Sequence, residues 1–281
     1  MGRIRRSWEI LEESAVVLRA DKELVAIPLL GLVVTLVVVA AFGGAAWATL
    51  TETVDASGTG YEPSAATYAV GVVGYLAVSI VGTYFTAALV AGAHQRLTGE
   101  DPSLGTAFGG ASRRLPQVVG WALLAGTVGL VLQAIADRGA IGRFVAGILD
   151  LGFQVLTFLA VPVVVVEGLG PGATLKRSTE LFRTTWGENL TAQLGFGLIG
   201  FLVMLPGVAV AVLVGLVVPL AGVVLGVLWV AAVALVMSAL NGIFRAALYQ
   251  YATTGSVPSG FSPDAITRAF APRTGAFGGR R

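Results

Sequence analysis

The sequence predicts an all-α fold, a six-transmembrane-helix bundle preceded by an N-terminal amphipathic interfacial helix. Apolar residues make up 56% of the 281 residues and charged residues only 12%, whereas a soluble domain carries roughly a quarter charged residues. Charged side chains are absent over four long stretches, which lie between Glu23 and Glu52, Glu62 and His94, Arg114 and Asp137, and Glu188 and Arg245. About twenty apolar residues cross the hydrocarbon layer as a helix, so these stretches predict membrane spans.

The last stretch is too long for one helix, and we predict two helices joined by a tight hairpin between Gly215 and Pro219. A further span, at residues 144–166, contains Asp150. The predicted domains are an interfacial helix at 1–23, a transmembrane domain at 24–252 and a mostly irregular cytoplasmic tail at 253–281. The spans are predicted at 24–50, 65–93, 115–136, 144–166, 189–213 and 220–244.

The distribution of basic residues predicts the orientation, because arginine and lysine favour the cytoplasmic side of a membrane. On one side, five precede the first span, three lie in the second connection, three in the fourth and five in the tail. The opposite side has only Arg138 and Arg143. We therefore expect a multi-pass protein of the cell membrane with both termini in the cytoplasm.

The segment before the first span has apolar residues at alternating spacings of four and three, which are Ile4, Trp8, Leu11, Ala15 and Leu18. This spacing predicts an amphipathic helix, which lies either on the cytoplasmic membrane surface or against the bundle. On the surface, arginines near the N-terminus and in the tail would contact anionic lipid.

The connections between spans carry two further signals. The segment from Thr51 to Ser64 holds three carboxylates among Gly, Ser, Thr and Pro, and it predicts a solvated, flexible turn. Similar basic segments at 14–28, 107–121 and 178–192 each precede a pair of spans and suggest three repeated helical hairpins. Hairpins that enter from the same side would give a similar rhythm without a repeat.

Short motifs distributed along the chain carry a family resemblance. They are Ser7-Trp8-Glu9-Ile10-Leu11, Asp21-Lys22-Glu23-Leu24, Glu167-Gly168, Thr185-Trp186-Gly187-Glu188 and the segment from Asn241 to Tyr251. In these motifs the chain resembles a prokaryotic family of uncharacterised integral membrane proteins. The resemblance implies the membrane class, and it implies no reaction, substrate or cofactor.

A polar stripe along the fourth span is the first candidate site. Its members recur at spacings of four, three, four and three, and are Arg143, Gly147, Asp150, Gln154 and Thr157. A carboxylate inside a span costs a few kcal/mol and normally faces a partner or water. We therefore expect Arg143, Asp150, Gln154 and Thr157 to point into the bundle. They form either a polar path for a solute or an internal clamp in which Asp150 binds an arginine or the backbone.

A second candidate is an anchor at the cytoplasmic end of the bundle, formed by Glu167, Asn241 and Arg245. Arg245 could contact anionic headgroups or Glu167, and long basic side chains near helix ends commonly reach the interface. In the same helix, Gly222 and Gly226 have the small-residue spacing that permits close helix approach.

The residue types that are absent or rare in the sequence argue against several classes of enzyme. The chain has no cysteine and one histidine, His94, which excludes thiolate chemistry and argues against Ser-His and His-Glu-x-x-His enzymes. We expect a protein that is not an enzyme, with no cofactor, no metal site and no nucleic-acid partner.

Two functional hypotheses remain open. One is a non-catalytic membrane scaffold, assembly factor or partner subunit that contacts lipid and a membrane-protein partner or a second copy. The other is a small-solute permease or channel that uses the polar face of the fourth span. Broken helices are common in transporters, and the only break that the sequence indicates is at Met204 to Gly207.

Overall fold

Helices dominate the computed structural model, which describes residues 23–55, 58–186 and 191–258. The predicted interfacial helix at residues 4–18 and the tail from residue 259 lie outside the described residues. The helices are α1 (Glu23–Ala48), α2 (Ala65–Leu97), α3 (Leu104–Ser112), α4 (Leu115–Ala136), α5 (Ala140–Leu156), α6 (Ala160–Glu167), α7 (Pro171–Trp186), α8 (Thr191–Val217) and α9 (Pro219–Thr254). Two strands, β1 (Leu50–Asp55) and β2 (Gly58–Pro63), connect α1 to α2.

Six helical segments are long and apolar enough to cross a membrane, which confirms the predicted fold class. They are Leu24–Ala48, Ala65–Leu97, Leu115–Ala136, Ala140–Glu167, Gly200–Val217 and Pro219–Thr254. Many large apolar side chains on them are exposed, such as Leu36 at 58% and Leu216 at 78%. Apolar exposure on this scale is typical of a surface that faces hydrocarbon rather than water. The threefold hairpin repeat stays a prediction.

The chain forms two compact units. The amino-terminal unit comprises residues 26–92 and 103–178, and the carboxy-terminal unit comprises residues 93–102, residues 23–25 and the described residues from Thr179 onward. In the amino-terminal unit, aromatic rings fill the space above glycines. Phe85 of α2 lies against Gly31 of α1, and Phe42 of α1 lies against Gly74 of α2, so these two helices pack closely and antiparallel.

The first connection forms an antiparallel hairpin instead of the predicted flexible turn. β1 and β2 pair in register from Leu50 opposite Pro63 to Asp55 opposite Gly58. Its base is fixed because the hydroxyls of Ser64 and Thr67 both donate to the Thr49 carbonyl, at 2.7 and 2.9 Å. Backbone pairing thus orders a segment whose polar composition indicated only solvent exposure.

The short helix α3 folds back along the end of α2. A capping box starts it, since the Thr106 N–H donates to the Ser103 hydroxyl and the Ser103 N–H donates to the Thr106 hydroxyl. Gly110 of α3 lies against Ala91 of α2, and Ser112 lies further back, where its hydroxyl is 2.8 Å from that of Tyr84. α3 therefore runs antiparallel to α2 and returns the chain toward the start of α4.

In the carboxy-terminal unit, α8 and α9 form a helical hairpin with a one-residue turn. Val218 is the residue between them, and Pro219 occupies the first turn of α9, where its missing N–H costs nothing. The predicted break at Met204 to Gly207 is wrong, because α8 continues through Pro206. Neighbouring helices and local adjustments allow proline inside such helices.

Candidate functional site

The polar stripe lies along α5 and centres on Asp150 and Gln154. The Gln154 Nε2 donates to Asp150 Oδ2 at 2.7 Å, one helical turn away. α5 begins at Ala140, so Asp150 lies about 15 Å along it, close to the midplane of a hydrocarbon layer about 30 Å thick. Asp150 is half-buried and Gln154 is exposed. The pair is therefore accessible from outside the amino-terminal unit.

The other members of the stripe do not join this pair. The Thr157 hydroxyl donates to the Phe153 carbonyl at 2.7 Å. Arg143 is exposed, and its side chain makes no hydrogen bond or ion pair with another described residue. The expected inward orientation is thus not seen for Arg143 and Gln154. The buried side of α5 is instead the side that carries the small residues Gly142 and Ala146.

A break interrupts the fourth span between α5 and α6. The Ala160 N–H donates to the Thr157 carbonyl at 2.9 Å, so the Leu156 carbonyl loses its normal helical partner. Pro162, in the first turn of α6, has no N–H for the Phe158 carbonyl and accounts for the break. In the sequence, Pro162 is the residue that indicates this break. The predicted break lay instead at Pro206.

Ser178 of α7 supplies a hydrogen-bond donor in place of the one that the helix break removes. Its hydroxyl donates to the Leu156 carbonyl at 2.7 Å, and the side chain is fully buried. A hydrogen bond to a carbonyl that has lost its helical partner contributes about 0.5–1.5 kcal/mol, so this single contact stabilises the interrupted span. Sequence spacing could not reveal the pair, because Ser178 and Leu156 lie on different helices.

The three members of the predicted cytoplasmic-end anchor occur in two local pairs, one in each unit. On α9, the Arg245 Nε donates to Asn241 Oδ1 at 3.2 Å. At the end of α6, the two carboxylate oxygens of Glu167 each lie 3.1 Å from the Nε of Arg177 on α7. Gly168, with a φ of 68°, ends α6 in the left-handed conformation and turns the chain toward α7. Glu167 thus fixes this turn, with a partner that the sequence did not indicate.

A cavity of about 430 Å³ lies between α2 and α4. Its lining residues are Thr67, Tyr68, Gly71, Val72, Tyr75, Gly129, Leu130 and Gln133. None of them belongs to the polar stripe of α5. The lining is mostly apolar, so this cavity is no continuation of the stripe.

His94 lies near the end of α2 in contact with the Tyr249 ring, at a centroid distance of 6.4 Å. Its Nδ1 is buried without a hydrogen-bond partner among the described residues. Within the described ranges, no three His, Asp or Glu side chains are grouped so that they could hold a metal ion.

Comparison with known proteins gives a family but no activity. No curated protein matches the sequence. A family model, described as a family of unknown function, matches residues 65–261, which include α2 through α9 and well over half of the chain. The predicted resemblance to a family without an assigned function is thereby confirmed. The chain belongs to DUF6159, a family of unknown function.

Proposed function

We propose that the protein is a non-catalytic scaffold subunit of a membrane assembly, which associates with a second copy of itself through the polar stripe of α5. The observation that carries this proposal is the Asp150–Gln154 pair on an accessible helix face near the middle of a span. Polar and charged groups that face hydrocarbon cost several kcal/mol unless they are paired. A protein surface that covers the stripe removes that cost.

The stripe has unused hydrogen-bonding capacity. Gln154 donates one of its two amide hydrogens to Asp150, which leaves the second hydrogen and the amide oxygen. The second carboxylate oxygen of Asp150 has no side-chain donor among the described residues. In a pair of copies, Gln154 of each copy donates its second hydrogen to Asp150 of the other.

A second copy suits this face because Gln154 offers both an amide donor and an amide acceptor, one helical turn from the Asp150 carboxyl group, so the same pair can supply both sides of the contact. Copies with the same topology place their α5 helices parallel, as a twofold axis normal to the membrane requires. Gly147, exposed and with no atom within 4 Å of a Cβ built on it, lets the two backbones approach closely.

Single-cysteine crosslinking tests this arrangement, since the chain has no cysteine of its own. We expect Gly147→Cys, on the stripe, to form disulfide-linked dimers on oxidation in lipid nanodiscs or membranes. Gly152→Cys is the matched control, because Gly152 is also exposed on α5 with open space around it but lies off the stripe. Addition of Asp150→Leu to Gly147→Cys should reduce crosslinking. Equal crosslinking of the two cysteine variants, or none, would rule out this interface.

We further propose that the protein lies in the cell membrane with both termini in the cytoplasm, and the asymmetry of arginine and lysine supports this orientation. Arginines near the N-terminus and in the tail then face the anionic leaflet. Cysteines introduced at Glu62 in β2 and at Ser256 after α9, both exposed, should react with a membrane-impermeant maleimide from opposite sides. Reaction of both from the same side would contradict the proposed orientation.

A permease is the second candidate, and the break between α5 and α6 favours it. Interrupted helices with polar residues nearby form the binding sites of many transporters. A flux screen in proteoliposomes, with wild type and Asp150→Asn compared, separates the two functions. A scaffold gives equal background flux for both proteins. Solute flux that depends on Asp150 would contradict the scaffold function and support a permease.

A further inference from the structure

The turn between α3 and α4 lies at the edge of a membrane span. It consists of Arg113 and Arg114, and α4 follows from Leu115 with 22 residues. Such a helix measures about 33 Å, close to the hydrocarbon thickness of about 30 Å. The part of α2 from Ala65 to Tyr84 also measures about 30 Å, and Tyr84 contacts Ser112, just before the turn. Two neighbouring helices thus place the two arginines at the level of the lipid headgroups, where tyrosine is enriched.

The Arg114 guanidinium is held in place by packing. It lies against the left-handed turn at Gly168, since a Cβ added there would be 2.5 Å from Arg114 Nη1 and 2.6 Å from its Cζ. Pro171, which begins α7, lies against Gly120 of α4 and holds the same turn to this helix. Arg114 is half-buried, and contact with the α6–α7 connection fixes the position of its side chain.

The hydrogen-bond donors of the Arg114 side chain are unused within the described part of the chain. Its side chain makes no hydrogen bond or ion pair with another described residue. The adjacent carboxylate, Glu167, binds the Nε of Arg177 at 3.1 Å. Arg113 is exposed beside Arg114 and adds a second positive charge. The turn therefore presents two guanidinium groups, one of them already oriented, at headgroup depth.

We propose that Arg113 and Arg114, positioned over the Gly168 turn, bind the phosphate of an anionic phospholipid. A guanidinium presents planar paired donors that match two phosphate oxygens, and such charge-assisted bonds are stronger than neutral ones. Free phosphate offers the same oxygens. The headgroup depth of the turn favours lipid, because an anionic membrane surface attracts each nearby basic side chain by about 1 kcal/mol. This site is separate from the proposed α5 interface and does not depend on it.

Native mass spectrometry of delipidated protein, titrated with phosphatidylglycerol or phosphatidylcholine, tests the proposal. We expect preferential binding of phosphatidylglycerol by the wild type, and about tenfold weaker binding by Arg114→Gln. Arg138→Gln is the matched control, because Arg138 is an exposed arginine just beyond the opposite end of α4. It should bind phosphatidylglycerol as the wild type does. Equal affinity for the two lipids, or equal losses in the two variants, would overturn the proposal.

Two further arms complete the experiment. Arg114→Lys keeps the charge but loses the paired donors, so it should bind phosphatidylglycerol with intermediate affinity, and it carries the test if Arg114→Gln does not fold. Wild-type affinity in Arg114→Lys would overturn the role of the guanidinium. Inorganic phosphate at millimolar concentration should leave phosphatidylglycerol bound. Its displacement by inorganic phosphate would assign the site to a soluble anion instead.

Discussion

Replacement of Gly222 by alanine should lower the free energy of unfolding by about 2–3 kcal/mol, the upper end of the usual cost of overpacking. Gly222 is buried at the contact between α8 and α9. A Cβ there would lie 2.5 Å from the Gly215 nitrogen and 2.6 Å from the Ala211 carbonyl oxygen. These are backbone atoms, so no side-chain rotation relieves the contact and the two helices must separate.

Thermal unfolding in one detergent measures this effect, with Gly44→Ala as the control. Gly44 lies inside α1, is exposed, and has no atom within 4 Å of an added Cβ. Alanine there should be neutral or stabilising by about 0.5–1 kcal/mol, because it is the better helix former. If both variants unfold at the wild-type temperature, α8 and α9 do not meet at Gly222.

Ser178→Ala should also destabilise the protein, by about 1–3 kcal/mol, because it removes a fully buried hydroxyl that is the donor to the Leu156 carbonyl. The Leu156 carbonyl accepts this 2.7 Å hydrogen bond and has no other side-chain donor among the described residues. We expect proteolysis or hydrogen exchange to increase first around Thr157, where α5 ends.

Thr127→Ala is a suitable control for Ser178→Ala. Thr127 is exposed, and its hydroxyl donates at 2.7 Å to the Leu123 carbonyl of its own helix, α4. That carbonyl keeps its helical N–H partner, so the substitution should cost less than about 0.5 kcal/mol. Equal unfolding temperatures for the two variants would show that Ser178 does not support the break.

The spans were predictable because hydrophobic length is a local property of the sequence. Uncharged stretches of about twenty residues indicate a membrane helix whatever their neighbours are. The ends of the helices were harder to place, since they depend on contacts made in three dimensions. α9 continues to Thr254, where Gly255 with a φ of 68° stops it, because most residues from Ala239 to Tyr249 in its last turns are buried.

The candidate site was only partly predictable, for the same reason. Helical spacing placed Asp150 and Gln154 one turn apart, and the two are hydrogen-bonded. Spacing could not indicate which side of α5 is buried, because that depends on the packing of Gly142 against the Ile135 carbonyl of α4. Proline content alone also misplaced the break, since tertiary packing decides which prolines a helix tolerates.

The turn of the α8–α9 hairpin has a consequence for membrane insertion. Four apolar residues at this tip are exposed, Leu216 at 78%, Val217 at 82%, Val218 at 50% and Leu220 at 77%. The connection between α1 and α2 instead carries Glu52, Asp55 and Glu62, and a charged side chain costs about 2.5–3.5 kcal/mol at the centre of a span. Translocation of the α8–α9 tip moves no charged side chain through the hydrocarbon layer. These two helices can therefore enter the bilayer together, because the segment that joins them has no charged side chain to oppose insertion.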